Sequence, residues 1–285
     1  MKTLKFNLLL FLLFFLNLYS HPKVTILTSL FNGKDFIEGL MKDITSQTIF
    51  NKKINEIDYY CELIIIDCAS QQNEIEIIEP YLQKYQNIIY KRLQEDPGLY
   101  SAWNYGLSIS SGEYITNANI DDRLANNCIE YLSKCLDTNP DIDFVYSDNY
   151  ITFVPNETFD EFKEKIKNLS DSMIKKDYIW SASAAEFSPK ALLYGGVSGN
   201  HPMWKRSIHQ KAGMFNHNLK VVGDWEMWLR AYLSGIKIKK MSGVHGLYFR
   251  NPLGLSSNNN NSININKELR KVLSFYKNKI LLNKK

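Results

Sequence analysis

The sequence has few cysteines, and their spacing does not match a metal or disulfide scaffold. Only four cysteines occur in 285 residues, and none forms a Cys-x-x-Cys pair. This spacing argues against a structural zinc site. A secretory route would permit disulfides, but the sequence does not choose a pairing. We interpret the four as buried free thiols: Cys61, Cys68, Cys128 and Cys135.

The chain also lacks a concentrated charge of either sign. Its formal net charge is +4, and its basic residues are dispersed apart from small groups such as segment 237–240 and the C-terminal tail. Recognition of nucleic acid needs a basic face with interleaved aromatic residues. We therefore predict that nucleic acid is not a partner. Hydrophobic residues make up 45% of the chain and aromatic residues 13%, which argues for a folded core and against disorder.

No long hydrophobic run marks a membrane-spanning helix. The apolar run at residues 8–19 is about a dozen residues long, whereas a span needs roughly 20. Lys2 and Lys5 precede this run, and that order is typical of a secretory signal peptide. We predict a signal peptide or signal anchor at 1–20, with a buried first helix as the third alternative. The protein is then expected in the secretory pathway or secreted, with membrane contact only through an uncleaved anchor.

Beyond the leader, strand-like and helix-like patterns alternate. Apolar or β-branched runs predict strands, and apolar residues at helical spacing lie between them. This order predicts an α/β fold with an open, Rossmann-like, mostly parallel sheet and helices on both faces. From about residue 150 the pattern changes to a charged amphipathic segment, a Trp-containing loop and two further helices. The predicted strands are 24–28, 62–67, 87–93, a run from 114, and 143–147; the later helices are 223–235 and 266–282.

Polar residues recur where the predicted strands end. Thr28 ends the first strand, Asp67 ends the second, and Asp121 and Asp122 follow a later one. An isolated acidic pair is also typical of a surface turn. Ligands of parallel sheets, however, bind beyond the carboxyl ends of the strands, so the recurrence favours a ligand site. Oxygen-rich clusters of this kind suit Mg²⁺ or Mn²⁺.

Five segments in order resemble glycosyltransferase family 2, which has the GT-A fold. The resemblance covers about 24–257 and implies a GT-A domain at 21–257. Its nucleotide-binding half is expected at 23–150 and its acceptor half at 151–257, before a polar linker and basic C-terminal helix at 258–285. The matching segments are TSLFNG (28–33), ELIIIDCAS (62–70), DPGLYSAWNYGLSISSGEYI (96–115), ANIDDRL (118–124) and GDWEMWLR (223–230).

The resemblance implies transfer of a sugar, with inversion, from a nucleoside-diphosphate sugar to an acceptor hydroxyl. UDP is the commoner nucleotide of the family, and the acceptor is expected to be a glycan, a glycoprotein or a lipid-linked molecule. Asp224 takes the position of the general base, and Glu226 is the second catalytic candidate. Trp225 and Trp228 are interpreted as core residues, with sugar stacking as the alternative for Trp225.

The resemblance also assigns the nucleotide and metal sites. Thr28, Asp67, Asp121 and Arg250 are the nucleotide-binding candidates, because Asp accepts from base or ribose donors and Arg suits phosphate oxygens. Mn²⁺ or Mg²⁺ is expected on three residues: Asp121, Asp122 and His245. A lone histidine is more often structural, and that alternative holds for both His201 and His245.

Two positions depart from the family pattern. Asn119 replaces the first Asp of the DxD element, and Gly223 replaces the Glu that usually opens the catalytic helix. An amide oxygen still binds metal, and Asn119→Asp is expected to maintain or tighten metal affinity. The two replacements motivate the alternative hypothesis of a catalytically inactive nucleotide-sugar- or glycan-binding module. A nucleotidyltransferase is less favoured, because GDWEMWLR has no obvious role in one.

Overall fold

The structure is a computed structural model that describes residues 22–54, 59–170, 173, 185–195, 197, 199–255 and 262–282. The predicted leader at 1–20 and the asparagine run at 258–261 lie outside these residues. Within the described residues, no helix combines the length and apolar character needed to cross a membrane.

The first part of the chain alternates strands and helices as predicted. The elements are β1 (Val24–Leu30), α1 (Lys34–Thr45), β2 (Cys61–Asp67), α2 (Ile75–Lys84), β3 (Ile88–Arg92), α3 (Leu99–Ile109), β4 (Tyr114–Asn117), β5 (Arg123–Leu124), α4 (Cys128–Thr138) and β6 (Phe144–Thr152).

The second part adds two strands and five helices to the described fold. The elements are α5 (Phe159–Ile166), α6 (Pro189–Leu193), β7 (Met203–Lys205), α7 (Ile208–Ala212), α8 (Gly223–Leu233), β8 (Ile238–Phe249) and α9 (Ser262–Leu282).

One eight-stranded sheet organises the described molecule, in the order β3-β2-β1-β4-β7-β6-β8-β5. β7 and β5 run antiparallel to their neighbours, and the other six strands share one direction. The prediction of a mostly parallel open sheet is therefore confirmed. The edge at which the six parallel strands end is called the carboxyl edge below. The chain runs outward from β1 to β2 and β3 and then returns to β4 on the other side of β1, which opens a crevice for a ligand at this edge.

Helices cover both faces of the sheet, as predicted. Successive residues of β2 alternate between two cores, with Leu63 and Ile65 in one and Ile64 and Ile66 in the other, because side chains of a strand alternate in direction. The first core includes α1, α2, α4 and α5, and the second includes α3 and α6 to α9.

The C-terminal helix is part of the folded domain. The sequence placed 258–285 beyond the GT-A domain as a linker and a basic helix. Instead, Val272, Tyr276 and Ile280 of α9 are buried in the second core. The spacing of four residues places them on one stripe of the helix, so the basic residues occupy the other side. Helix α9 therefore packs against the sheet domain, while the domain boundary at 257 stays a prediction.

All four cysteines are free and buried, which confirms the interpretation from the sequence.

Candidate active site

The crevice at the carboxyl edge begins with Thr28 on β1. Its side chain is buried, and its hydroxyl donates to the carbonyl of Ala118 at 2.9 Å. The N–H of Ala118 donates to the carbonyl of Leu27, also at 2.9 Å. Thr28 therefore fixes the start of the loop that carries the acidic residues after β4.

Asp67 ends β2 and organises the turn that follows. It is fully buried, and Oδ1 accepts from the N–H of Ser70 at 2.8 Å. Oδ2 forms an ion pair with Arg92 at 2.6 Å and accepts from the hydroxyl of Tyr90. The guanidinium of Arg92 is half-exposed and also donates to the carbonyl of Ser70. Asp67 thus binds Tyr90 and Arg92 of β3, and neither of these residues was predicted from the sequence to belong to the site.

The loops after β1 and β2 are joined by hydrogen bonds. The N–H of Gly33 donates to Oε1 of Glu74 at 2.8 Å, and the N–H of Gln71 donates to Oδ1 of Asn32 at 2.8 Å. Asn32 has φ 49°, in the left-handed region that asparagine tolerates better than most residues. The two loops therefore form one surface at the crevice.

The two acidic residues after β4 have different surroundings. Asp122 is buried, with Oδ1 accepting from the N–H of Phe249 at 3.0 Å and Oδ2 from the amide of Asn119 at 2.9 Å. Burial and the neighbouring charge of Asp121 raise the pKa of Asp122. Asp121 is only partly buried; Oδ2 accepts from Asn251 at 3.2 Å, and Oδ1 bonds to no residue that the structure describes. Asp122 therefore ties this loop to β8, while Asp121 keeps an oxygen for a ligand.

His245 does not join this acidic pair. Its ring stacks on Tyr131 of α4, with centroids 4.2 Å apart, and it lies four residues before Phe249 along β8. Across the described ranges, no three His, Cys, Asp or Glu side chains are grouped to hold one metal ion. The structure therefore does not bring His245 together with Asp121 and Asp122.

The remaining donor set still fits a Mg²⁺-type ion. Such ions commonly take one or two carboxylates together with substrate phosphates and water. Oδ1 of Asp121 supplies one carboxylate oxygen at the crevice. Arg250 is exposed directly after β8, and its neighbour Asn251 contacts Asp121. A carboxylate and a guanidinium thus lie at the same edge, where a diphosphate and its metal ion would need them.

Asp224 lies at the start of α8 and contacts α3. The hydroxyl of Tyr100 is 3.1 Å from Oδ1 of Asp224 and 2.7 Å from the carbonyl of Val221. Tyr100 is the second residue of α3, which follows β3, so this contact places Asp224 at the carboxyl edge. Burial raises the pKa of Asp224; hydrogen bonds from the N–H of Trp225 and from Tyr100 oppose part of this shift. A carboxylate with a raised pKa at this edge can accept a proton from a bound hydroxyl.

The comparison with known proteins now decides the family. The model of Glycosyl transferase family 2 matches residues 25–185, more than half of the chain. The chain belongs to this family. The match ends before α8, so the candidate role of Asp224 is supported by the resemblance of GDWEMWLR to the family and by its contact with Tyr100.

Curated relatives of this family 2 member are distant. A cholesterol galactosyltransferase of Borreliella burgdorferi is 32% identical over 134 residues, covering 46% of this chain and 34% of that protein. An uncharacterized glycosyltransferase of Rickettsia conorii is 26% identical over 217 residues, covering 76% of this chain and 32% of that protein. The chain thus spans about a third of the length of these two relatives.

Solved structures of other glycosyltransferases share the fold. S. aureus TarS 1–349 in complex with UDP-GlcNAc superposes with a TM-score of 0.63 at 14% identity, covering 83% of this chain and 61% of that one. Mannosyltransferase PcManGT from Pyrobaculum calidifontis, in complex with GDP-Man and Mn²⁺, gives a TM-score of 0.59 at 16% identity. It covers 83% of this chain and 59% of that one. At these identities the likeness shows the GT-A fold alone.

The family 2 departure at Gly223 has a steric cause. A Cβ at this position would lie 2.6 Å from two ring carbons of Tyr100, which is closer than packed atoms approach. A Glu at 223 would therefore displace the ring that holds Asp224. Glycine here is the residue that lets Tyr100 reach the start of α8.

Glu226 is occupied by structural contacts. It is buried, and its two oxygens accept from Arg230 at 3.1 and 3.0 Å. Oε1 also accepts from the hydroxyl of Tyr276 on α9 at 2.5 Å. Arg230 in turn donates to the carbonyl of Met214 at 2.8 Å. These contacts hold α8 against α9 and the α7–α8 loop, so the geometry favours Asp224 over Glu226 as the proton acceptor.

The tryptophans and His201 are held within the fold. Trp228 packs in the second core, and the indole N–H of partly buried Trp225 donates to the carbonyl of Leu192 at 2.7 Å. His201 is buried, with Nε2 3.1 Å from the hydroxyl of Ser147, and burial lowers its pKa to about 3. A neutral, buried imidazole of this kind fits the structural alternative.

Proposed function

We propose that the protein transfers a sugar, with inversion, from a nucleoside-diphosphate sugar to an acceptor hydroxyl. The observation that carries this proposal is the Tyr100–Asp224 contact, which brings a carboxylate of raised pKa to the crevice edge where Asp121 and Arg250 also lie. Membership of family 2 supports the reaction class. The donor named in the TarS structure supports UDP as the nucleotide.

Asp224 would act as the general base. The acceptor hydroxyl is a weak nucleophile, so a carboxylate must take its proton as it attacks the anomeric carbon. The raised pKa strengthens Asp224 as a base, while its place at a helix N-terminus favours the ionised form. One direct displacement then inverts the anomeric centre, and the proton passes from the acceptor oxygen to a carboxylate oxygen of Asp224.

Asp121 and Arg250 would bind the donor diphosphate. Arg250 would pair with phosphate oxygens, because its planar guanidinium donates two parallel hydrogen bonds. Asp121 would hold Mn²⁺ or Mg²⁺, while Asp122 would stabilise the same loop through its hydrogen bonds to Phe249 and Asn119. The ion would offset the negative charge that develops on the leaving diphosphate. The Mn²⁺ in the mannosyltransferase structure supports this cofactor.

The joined β1 and β2 loops would bind the nucleoside. Asp67 has both oxygens engaged, so we assign it to holding Arg92 and the β2 turn at the ribose or base. Thr28 would act in the same indirect way through Ala118. The half-exposed guanidinium of Arg92 is the group of this set best placed to meet the nucleotide itself.

The acceptor remains a glycan, a glycoprotein or a lipid-linked molecule. The name of the Borreliella relative keeps a lipid acceptor among these choices. We also propose entry into a secretory route through the leader at 1–20, either cleaved or retained as an anchor. N-terminal sequencing of the mature protein separates these two forms, because an intact Met1 would rule out cleavage.

The second candidate function is a binding module without catalysis, favoured by Asn119 in place of Asp. A panel of nucleotide sugars with Mn²⁺ separates the two, with free nucleoside diphosphate as the readout. Turnover that Asp121→Ala abolishes and the exposed control Asp141→Ala retains supports the enzyme. Donor binding without turnover, across a broad set of acceptors, supports the module and contradicts our proposal.

A further inference from the structure

The carboxylate of Glu268 on α9 accepts three backbone N–H groups from the segment that leads into α8. Oε1 accepts from Lys220 at 2.8 Å, and Oε2 accepts from Val221 and Val222 at 3.0 and 3.4 Å. No side chain at the N-cap position of α8 makes a capping hydrogen bond. Backbone N–H groups at a helix start need a partner, and a residue from a distant helix supplies it here.

This segment is connected directly to Asp224. The N–H of Val221 is held by Glu268, and its carbonyl accepts from the hydroxyl of Tyr100 at 2.7 Å. The same hydroxyl is 3.1 Å from Oδ1 of Asp224. A tyrosine hydroxyl has one proton to donate, so Val221 and Asp224 compete for it. The position of Val221 therefore sets how strongly Tyr100 binds the carboxylate.

Glu268 can hold this arrangement because α9 is firmly docked. Val272, Tyr276 and Ile280 are buried, and the hydroxyl of Tyr276 donates to Glu226 of α8 at 2.5 Å. A side chain on a packed helix keeps its position better than one on a loop.

We propose that Glu268 is a positioning residue for Asp224: by holding Val221, it keeps the Tyr100 proton shared between the Val221 carbonyl and the Asp224 carboxylate. The inference rests on the proposed function in one respect, since it takes Asp224 as the base. It adds a role for the C-terminal helix, which lies outside the 25–185 family match.

Three variants of the full chain separate a role of Glu268 in positioning Asp224 from a role in docking α9 alone. Glu268→Ala removes all three hydrogen bonds. Glu268→Gln removes the charge but keeps one acceptor oxygen and the side-chain shape. Ile280→Val loosens the docking of α9 about three turns away from Glu268 and is the control for stability alone.

The first measurement is a carbon-13 NMR titration of the Asp224 carboxyl, which needs no donor turnover. In Glu268→Ala, water reaches the carboxyl and Tyr100 is free to donate to it, so the pKa of Asp224 falls toward its ordinary value. Glu268→Gln gives a smaller fall, and Ile280→Val gives none. Equal shifts in the Ala and Gln variants would mean that only the charge matters, and a similar shift in Ile280→Val would mean simple docking; either result overturns the proposal.

The second measurement is steady-state turnover of a nucleotide sugar that the wild type accepts. Glu268→Ala is expected to lower kcat by about 10- to 100-fold, as small misplacements of reacting groups do, with KM for the donor within about two-fold. Unchanged kcat would also overturn the positioning role. If the wild type turns over no donor at all, the proposed function fails, while the NMR titration still decides the role of Glu268.

Discussion

The hydroxyl of Tyr100 lies 3.1 Å from Oδ1 of Asp224, although 124 positions separate the two residues in the chain. This contact joins the helix after β3 to the start of α8 and places the proposed base at the ligand crevice. It also explains Gly223, because any side chain there would meet the ring of Tyr100. One aromatic residue thus accounts for both the position of the base and a departure from the family pattern.

Tyr100→Phe is expected to move the acid limb of the pH–rate profile to higher pH. The hydroxyl lowers the pKa of Asp224, so its loss raises that pKa further and leaves less carboxylate at a given acidic pH. We expect a shift of up to about one pH unit in kcat/KM. Tyr105→Phe, an exposed position on the same helix, is the matched control. An acid limb that moves to lower pH would contradict this prediction.

Asn119→Asp is expected to destabilise the metal-free protein. The amide of Asn119 donates to the buried carboxylate of Asp122, and a second carboxylate would remove this donor and add a like charge. We expect a loss of about 1–3 kcal/mol, measured by thermal unfolding. Added Mn²⁺ should recover part of it, because the new oxygen is also a metal ligand.

The control for this prediction is Asn119→Ala, which removes the donor without adding charge. It should cost less stability, and Mn²⁺ should not restore it. An Asn119→Asp protein that is more stable than wild type without metal would show that the buried hydrogen bond has no such role.

The Asp43 carboxyl is expected to make the protein less stable as pH rises. Burial raises its pKa to about 7, while its Oδ2 accepts from the N–H of Leu124 at 3.0 Å. The folded state therefore holds this proton more tightly than the unfolded state between about pH 4 and 7. The stabilising contribution is complete below about pH 4 and is lost as pH rises through about 7.

Asp43→Asn removes this titration and keeps an oxygen that accepts from Leu124. We expect it to be more stable than wild type at pH 8, by at most about 4 kcal/mol, and to flatten the dependence of stability on pH. Chemical denaturation at pH 5 and pH 8 measures both effects. Asp141→Asn, an exposed control, should leave the slope unchanged, and an unchanged slope in Asp43→Asn would refute the assignment.

Sequence patterns predicted those strands and helices whose burial shows within a single element. The continuous apolar run of β2 and the helical spacing of Ile37, Leu40, Met41 and Ile44 in α1 follow from the burial of one element at a time. β7 has only three residues, and much of the first half of the 12-residue β8 is exposed, so neither has a clear period. The packing of α9 could not be predicted from its composition, because its many basic residues obscure the apolar stripe of Val272, Tyr276 and Ile280.

Only the site residues that lie within single sequence motifs could be predicted. Asp121 and Asp224 lie in segments whose order identified the family, and both are at the carboxyl edge. The partners of these residues carry no local signal, because Tyr100 and Glu268 meet the start of α8 from other parts of the chain. The place of His245 before a polar loop predicts a metal ligand, whereas in the structure its ring stacks on Tyr131.

The most direct test of the account is the transfer rate of Asp224→Asn beside its affinity for donor and Mn²⁺. Asparagine keeps the shape of the side chain but cannot accept the proton as a carboxylate does. We expect kcat to fall by about 10²–10⁴, with donor and Mn²⁺ bound as in wild type, whereas Asp121→Ala loses metal-dependent binding. Full turnover by Asp224→Asn, or loss of donor binding in it while Asp121→Ala binds normally, would contradict the assignment of the base and the metal ligand.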